Sequence, residues 1–215
     1  MNKVILKFKY LFIFYKSKIL KKRIIKESKN LKILFKKDIL KKNFNDLWFL
    51  NNLEIFHYFF SNKKKEFHYL EIGSNEGLSL FYVLKNYKKV KATAIDLWQN
   101  KKKESYFDKN LRQFNNYIKI KKDSIIALRE LGKKNKKYDY IYVDGFHDGS
   151  HLIVDAIESY KLLKKNGIMI FDDALQNDKS LKYKSYQGIK NFLDFFGKEI
   201  KILYFQNILV IKKKI

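Results

Sequence analysis

The chain has no cysteine and no proline among its 215 residues, and only eight glycines. Without cysteine there is no disulfide, no zinc–thiolate centre and no thiol nucleophile; cytoplasmic residence is the compatible expectation. Acidic residues are scarce: 22 Asp and Glu stand against 47 Lys and Arg, a formal charge of +25. Long apolar runs are missing too. The longest, Tyr10 to Tyr15, has six residues, whereas a spanning helix needs roughly 20, so no transmembrane segment is expected. Lys16 and Lys18 interrupt that run and no small-residue cleavage site follows, which does not suit a secretory signal.

What is present is enough for one good core: 46% of the residues are hydrophobic and 17% aromatic. The length suggests one domain, residues 61–215, behind a basic helical extension, residues 1–60. An excess of Lys, Asn, Ile, Phe and Tyr is the bias of AT-rich coding and accounts for much of the charge. Its distribution says more. Residues 1–43 hold 14 Lys and one Arg against Glu27 and Asp38, a net +13, and the other 172 residues carry +12. Ile5, Phe8, Phe12, Tyr15, Ile19, Ile24, Leu31 and Leu34 recur near helical spacing between the lysines. Three readings stay open for this segment: a helix on an anionic membrane surface, a cap on the main domain, or a partly disordered tail. Residues 44–60 form a more apolar helical stretch leading into the domain.

From residue 67 the pattern alternates. Strands are expected near 67–72, 90–96, 117–121, 138–144 and 167–172, with helices near 77–87, 103–115, 124–131 and 150–165 between them. Helices joining successive short strands imply right-handed crossovers and a parallel sheet. After a helix near 186–197, Ile200–Phe205 and Ile208–Lys213 flank Gln206-Asn207, which reads as an antiparallel hairpin.

Chemistry-bearing residues gather at the strand ends. The first strand runs Tyr69-Leu70-Glu71-Ile72-Gly73-Ser74-Asn75-Glu76-Gly77 into a helical pattern. A glycine after a strand lets the backbone turn and approach a ligand with no Cβ in the way, close to the free N–H groups of a helix start. The spacing is neither the dinucleotide G-x-G-x-x-G nor the P-loop G-K-[S/T]. The second strand ends at Asp96, 19 residues past Gly77, where a bound nucleoside would put its ribose and a carboxylate can accept both hydroxyls; Trp98 beside it is either an adenine-facing wall or core packing. After the third strand, Asp123 or Ser124 can act as a helix N-cap. The fourth strand, ending at Asp144, is followed by Gly145-Phe146-His147-Asp148-Gly149-Ser150-His151, so two histidines and two acids fall within eight residues. The fifth ends Phe171-Asp172-Asp173. Acids at the mouth of buried strands are costly unless they bind a cation or a ligand or face water. Asp144, Asp172 and Asp173 make an all-oxygen set suited to a hard divalent cation, Mg²⁺ first. His57 and His68, in apolar surroundings, read as core or surface residues, and Tyr142 and Phe171 as sheet packing.

The E-x-G-x-x-x-G turn resembles motif I of class I S-adenosylmethionine (SAM)-dependent methyltransferases. V-D-G-F-H-D-G-S-H followed by G-I-M-I-F-D-D resembles the subfamily (methyltransferase domain 24 type) that includes macrolide-sugar O-methyltransferases, over roughly residues 67–213. The resemblance implies a Rossmann-like α/β fold with seven strands, mostly parallel with a terminal antiparallel hairpin. It implies SAM held by Glu71, Gly73, Ser74, Gly77, Asp96, Asp123, Ser124 and Asp144, and Mg²⁺ held by Asp144, Asp172 and Asp173. His147 would take the proton from an acceptor hydroxyl. Gly149 departs from the aromatic common there in relatives, with a wider pocket or a looser loop as the expectation. The acceptor expected is a small molecule or sugar. Nucleic-acid methylation is favoured only by charge, since the N-P-P-Y-type motif of base amino-group methylases is absent. A non-catalytic, membrane-tethered module would have little use for the whole set Gly73, Gly77, Asp96 and Asp144. Homo-oligomerisation is left open.

Overall fold

The computed structural model describes residues 9–60, 66–146, 148–176, 180 and 182–215. Its centre is a seven-stranded sheet: β1 (Phe67–Ile72), β2 (Val90–Asp96), β3 (Tyr117–Lys121), β4 (Tyr138–Val143), β5 (Leu163–Phe171), β6 (Ile200–Phe205) and β7 (Leu209–Lys213), in the order β3-β2-β1-β4-β5-β7-β6. The first five strands pair in parallel, and β7 lies antiparallel between β5 and β6. The order reverses between β1 and β4, so the strand ends on either side of that point open a crevice.

Alternation along each strand builds two cores. Phe67 and Tyr69 of β1, with Tyr140 and Tyr142 of β4, face a layer formed by α1 (Leu11–Glu27), α2 (Leu31–Ile39), α3 (Leu53–Phe60), α4 (Leu78–Asn86) and α5 (Lys101–Leu111). Leu70, Ile72, Ile141 and Val143 face α6 (Ser124–Lys133), α7 (Gly149–Leu162) and α8 (Ser185–Phe196). The first core is unusually aromatic. Phe56 stacks on Phe60 at 4.4 Å and meets Tyr69, Tyr82 and Tyr142 edge-on, geometries that align ring edges with ring faces and add to area burial.

The basic N-terminal segment is a cap over this part of the molecule. Ile24, Phe35, Ile39, Phe49 and Leu50 are buried with the sheet residues. The helical pattern splits into α1 and α2 because the Ser28 hydroxyl bonds back to the Ile24 carbonyl at 2.5 Å and ends α1. β6 is an edge strand, and α1 covers its end: the Phe205 N–H donates to Ser17 Oγ at 2.9 Å, and Gln206 Nε2 donates to the Phe14 carbonyl at 2.7 Å. Such cover protects an edge from pairing with another chain. No helix of the described residues is long and apolar enough to cross a membrane.

Elsewhere the differences are local. The expected helix at 150–165 stops at Leu162, because Leu163 already pairs with Tyr138 and the chain bulges before Ile168 pairs with Tyr140. Asn166 takes φ +63° in that bulge.

Candidate active site

The C-terminal ends of β1, β2 and β4 open on a cleft of about 710 Å³ lined by Gly73, Asn75, Asp96, Asp123, Ser124, Asp144 and, from the N-terminal segment, Trp48. Gly73 has φ +83°, and a Cβ built on it would lie 2.0 Å from the Asp144 carbonyl oxygen. The β1 and β4 ends are therefore pressed together where only a glycine fits, which exposes the turn's backbone to the cleft. Gly77, at φ +81°, starts α4 with no side chain capping it, just behind the cleft lining rather than in it.

Asp96 holds this turn in shape. Its Oδ2 accepts from the Asn75 N–H at 2.8 Å and its Oδ1 from the Trp98 N–H at 2.7 Å. Each oxygen keeps a further lone pair for a hydroxyl. Trp98 does both: only 3% exposed, it packs on Phe107 at 4.7 Å and donates Nε1–H to the Asn75 carbonyl at 2.8 Å, and it also lines the cleft. Asp123 is the N-cap of α6, accepting from Ile125 and Ile126 N–H groups at 3.0 and 3.2 Å. Ser124 donates to Asp155 Oδ1 at 2.7 Å.

Behind the turn sits a group of buried acids. Glu71 is fully enclosed, and its Oε2 accepts from the Tyr69 hydroxyl at 2.5 Å. Its Oε1 completes no hydrogen bond, nor does the buried Ser74 Oγ, although the Ser79 and Ser74 hydroxyls lie near enough to moderate the charge. Burial pushes the Glu71 carboxyl up to about 7. The Asp144 carboxyl is driven well above its usual range by burial and by repulsion from Asp172, Glu71 and Asp173. Burial also raises Asp172.

The Glu71 shift has a thermodynamic sign. The folded chain retains a proton that the unfolded chain releases above its ordinary 4.5. The stability this proton confers is complete below that value and is lost as the pH rises through about 7. Glu71→Gln, which keeps the shape and cannot ionise, is expected to be more stable than the parent by about 3 kcal/mol near pH ~8, a gain that shrinks to nothing in acid. Thermal melts across that range check it; a gain that is the same at every pH would show that the charge is not its cause.

Whether the three aspartates suit a divalent cation can be read from their partners. Asp172 Oδ1 accepts from Asn52 Nδ2 at 2.7 Å and from the Asp173 N–H at 2.8 Å, and Oδ2 from the Tyr142 hydroxyl at 2.6 Å. Asp173 accepts from Asn207 Nδ2 at 2.7 Å. Among the described residues, no three His, Cys, Asp or Glu side chains converge to hold a metal ion. The strand ends bring the three acids together, with protein donors on Asp172 and Asp173, but among the described residues they do not converge as a set around one point. His147 lies outside the described residues.

Several neighbours were not visible in the motifs. Residues 43–52 are wired into the cofactor-side turn: Glu76 accepts from the Asn45 N–H at 2.6 Å, and Asp46 Oδ2 accepts from Asn75 Nδ2 at 2.8 Å and Lys103 Nζ at 2.7 Å. The Lys103 ammonium holds the Asp46 carboxyl below its usual range. The apolar pattern of 44–60 signalled core packing but nothing about a site. Asp155 lies beneath Ser124, its carboxyl raised to about 6 by burial, and Tyr142, read as packing, is also the partner of Asp172. His151 lines the cleft from the first turn of α7, its ring edge-on to Phe146 at 5.2 Å. Gly149 does not widen the pocket: it lets α7 meet α8, and a Cβ there would lie 2.4 Å from the Lys184 carbonyl oxygen.

A doubly wound sheet in this order, ending in an antiparallel hairpin and opening a glycine-turn cleft at the switch point, defines the fold of the class I SAM-dependent methyltransferases. The chain shares that fold, and residues 70–174, just under half of it, match a sequence family described as a methyltransferase domain. Among solved structures it is similar to MycE, a methyltransferase from the mycinamycin biosynthetic pathway determined in complex with Mg and SAH (TM-score 0.62, 15% identity, 86% of this chain and 55% of MycE). It thus spans about half the length of MycE. A protein from Staphylococcus aureus assigned as a caffeoyl-CoA O-methyltransferase aligns over 91% of this chain and 99% of its own (TM-score 0.61, 17% identity). A ribosomal protein L11 methylase from Lactobacillus delbrueckii subsp. bulgaricus aligns over 82% and 83% (TM-score 0.55, 16% identity). No curated protein matches the sequence.

Proposed function

We propose that the protein methylates an oxygen of a small-molecule or sugar acceptor, using SAM as donor and His147 as general base. The observation that carries the reading is the cleft itself: the Gly73 turn, the Asp96 carboxylate and the unpartnered Oε1 of Glu71 lie together at the switch point. When bound, SAM supplies an electrophilic methyl group on a cationic sulfur. Glu71, Gly73, Ser74 and Gly77 would hold its amino-acid part, Asp96 its ribose and Asp123 with Ser124 its adenine edge, with Asp144 at the floor. Buried carboxyls that repel one another suit a positively charged ligand, since a nearby cation favours their ionised forms. His147, placed by resemblance after β4, would accept the acceptor's hydroxyl proton as the oxygen becomes nucleophilic. No step is assigned to Mg²⁺, because Asp144, Asp172 and Asp173 do not close around one here. Oxygen as the methylated atom is supported by the V-D-G-F-H-D-G-S-H stretch and by the likeness to the caffeoyl-CoA O-methyltransferase and to MycE, which has also been determined with mycinamycin VI.

Isothermal calorimetry on the purified chain is expected to show SAM binding at micromolar Kd, weakened about 100-fold in Asp96→Ala, which removes two turn-organising acceptors as well as the ribose contact. Absence of heat and of any thermal shift at millimolar SAM would reject the cofactor assignment. Transfer of isotopically labelled methyl from SAM into metabolite and glycan fractions, read by mass spectrometry, then tests for an ether linkage; label found only in nucleic acid would reject the acceptor class.

A further inference from the structure

The outer face of α1 presents a row of large apolar side chains that the described residues leave uncovered. Its inner face packs on the sheet through Tyr10, Ile13, Phe14, Ser17 and Ile24. At about 100° per residue, Leu11, Phe12, Tyr15 and Ile19 fall on the opposite side, and they are 56%, 68%, 64% and 55% exposed. Helical spacing continues the same stripe into Lys22 and Lys26, with Lys16, Lys18 and Arg23 on its flanks, all exposed. The Lys16 ammonium lies over the Phe12 ring at 4.1 Å, a cation–π contact that sets a positive charge directly against the apolar stripe. The only acid in α1, Glu27, is its last residue and is paired with Arg23 at 3.6 Å.

Four large apolar side chains standing out of a helix already docked on its other face are not needed to hold the fold together. Their ring of lysines and arginine says what covers them. A second copy would bring its own +13 segment against this one and be repelled. A nucleic acid would satisfy the charge and leave the leucine, phenylalanine and isoleucine without a role. An anionic lipid surface satisfies both: apolar side chains enter the acyl boundary and lysines meet the head groups. We infer that the outward face of α1, centred on Phe12, Tyr15 and Ile19, docks the protein on anionic membrane surface. α1 would lie in the plane of the interface.

The test uses the full chain and vesicles of phosphatidylcholine alone or mixed with phosphatidylglycerol, read by flotation. Expected is recovery with anionic vesicles only, falling as salt is raised past the point where the Debye length shrinks to a few ångströms. Phe12→Asp combined with Ile19→Asp changes no buried residue. It should leave the circular dichroism spectrum, melting temperature and SAM binding unchanged while lowering vesicle partitioning at least about tenfold; Lys18→Glu with Lys22→Glu should do the same. Equal recovery with neutral vesicles, no recovery with anionic ones, or a Phe12/Ile19 variant that floats like the parent overturns the inference. So does a dimer, seen by light scattering, that those substitutions dissolve, since it would assign the face to a second copy. Duplex DNA binding that persists in the apolar variant, without flotation of the parent, would reduce the face to unspecific charge and likewise overturns it.

Discussion

Gly73→Ala is expected to cost more than about 4 kcal/mol and to abolish SAM binding. The backbone at this position has φ +83°, a region that costs an L-residue with a side chain about 1–2 kcal/mol. The larger penalty is spatial. The added Cβ would stand 2.0 Å from the Asp144 carbonyl oxygen, 2.5 Å from its carbon and 2.7 Å from Gly145 Cα. All three atoms are backbone, so no rotamer change relieves the overlap; β1 and β4 must separate at the sheet's centre, where Ile72 pairs with Val143. For a chain of this size that amounts to a fall in Tm of roughly 10–15 °C, a large part of a typical total stability of about 5–15 kcal/mol. Gly77→Ala supplies the contrast. It shares a positive φ of +81°, but its Cβ would meet the side chains of Leu111 and Phe107 at 3.0 Å, and side chains can shift. Scanning calorimetry on both variants should find the second the milder by several degrees. Equal melting temperatures would mean that the β1–β4 approach is looser than the structure shows.

If His147 is the base proposed above, replacing it by alanine is expected to lower kcat by about 10²–10⁴-fold while leaving the Kd for SAM unchanged. The split between kcat and Kd matters because a substitution that merely disturbed the loop before α7 would move both. The pH profile adds a second readout: with an imidazole base the acid limb reports the deprotonation of a histidine, which unperturbed occurs near ~6.5, and that limb should vanish in the variant. His151→Ala is the control. His151 also lines the cleft, its Nδ1 3.7 Å from Asp148 Oδ1. If that variant loses kcat and the His147 variant does not, the base belongs to α7's first turn.

The order of elements was legible from periodicity. β1, β2 and β3 lie where alternation put them, and the hairpin follows from two β-rich runs around Gln206-Asn207. Short β-rich runs bounded by turn residues were enough there, even for the edge strand β3, whose Ile118 stays exposed. Boundaries set by distant partners were not legible. The start of β5 depends on pairing between Leu163 and Tyr138, and the break between α1 and α2 on one serine hydroxyl.

The same division runs through the site. Asp96, Asp123, Ser124 and Asp144 could be placed on one cleft because a parallel sheet brings all its strand ends to one edge. That edge is a consequence of local pattern, and the sequence by itself determines it, together with the fold class and the glycine turn. Only the tertiary structure decided how each acid is used. It gave Asp172 to Asn52 and Tyr142, buried Glu71 with one oxygen unpartnered, laid Ser124 over Asp155, brought Trp48 from the basic extension to the cleft and bonded Asn45 and Asp46 to the turn beside it. The Asn52–Asp172 hydrogen bond joins residues 120 positions apart; no local spacing encodes such a contact, because the energy of a buried carboxyl depends on which donors the finished fold places beside it.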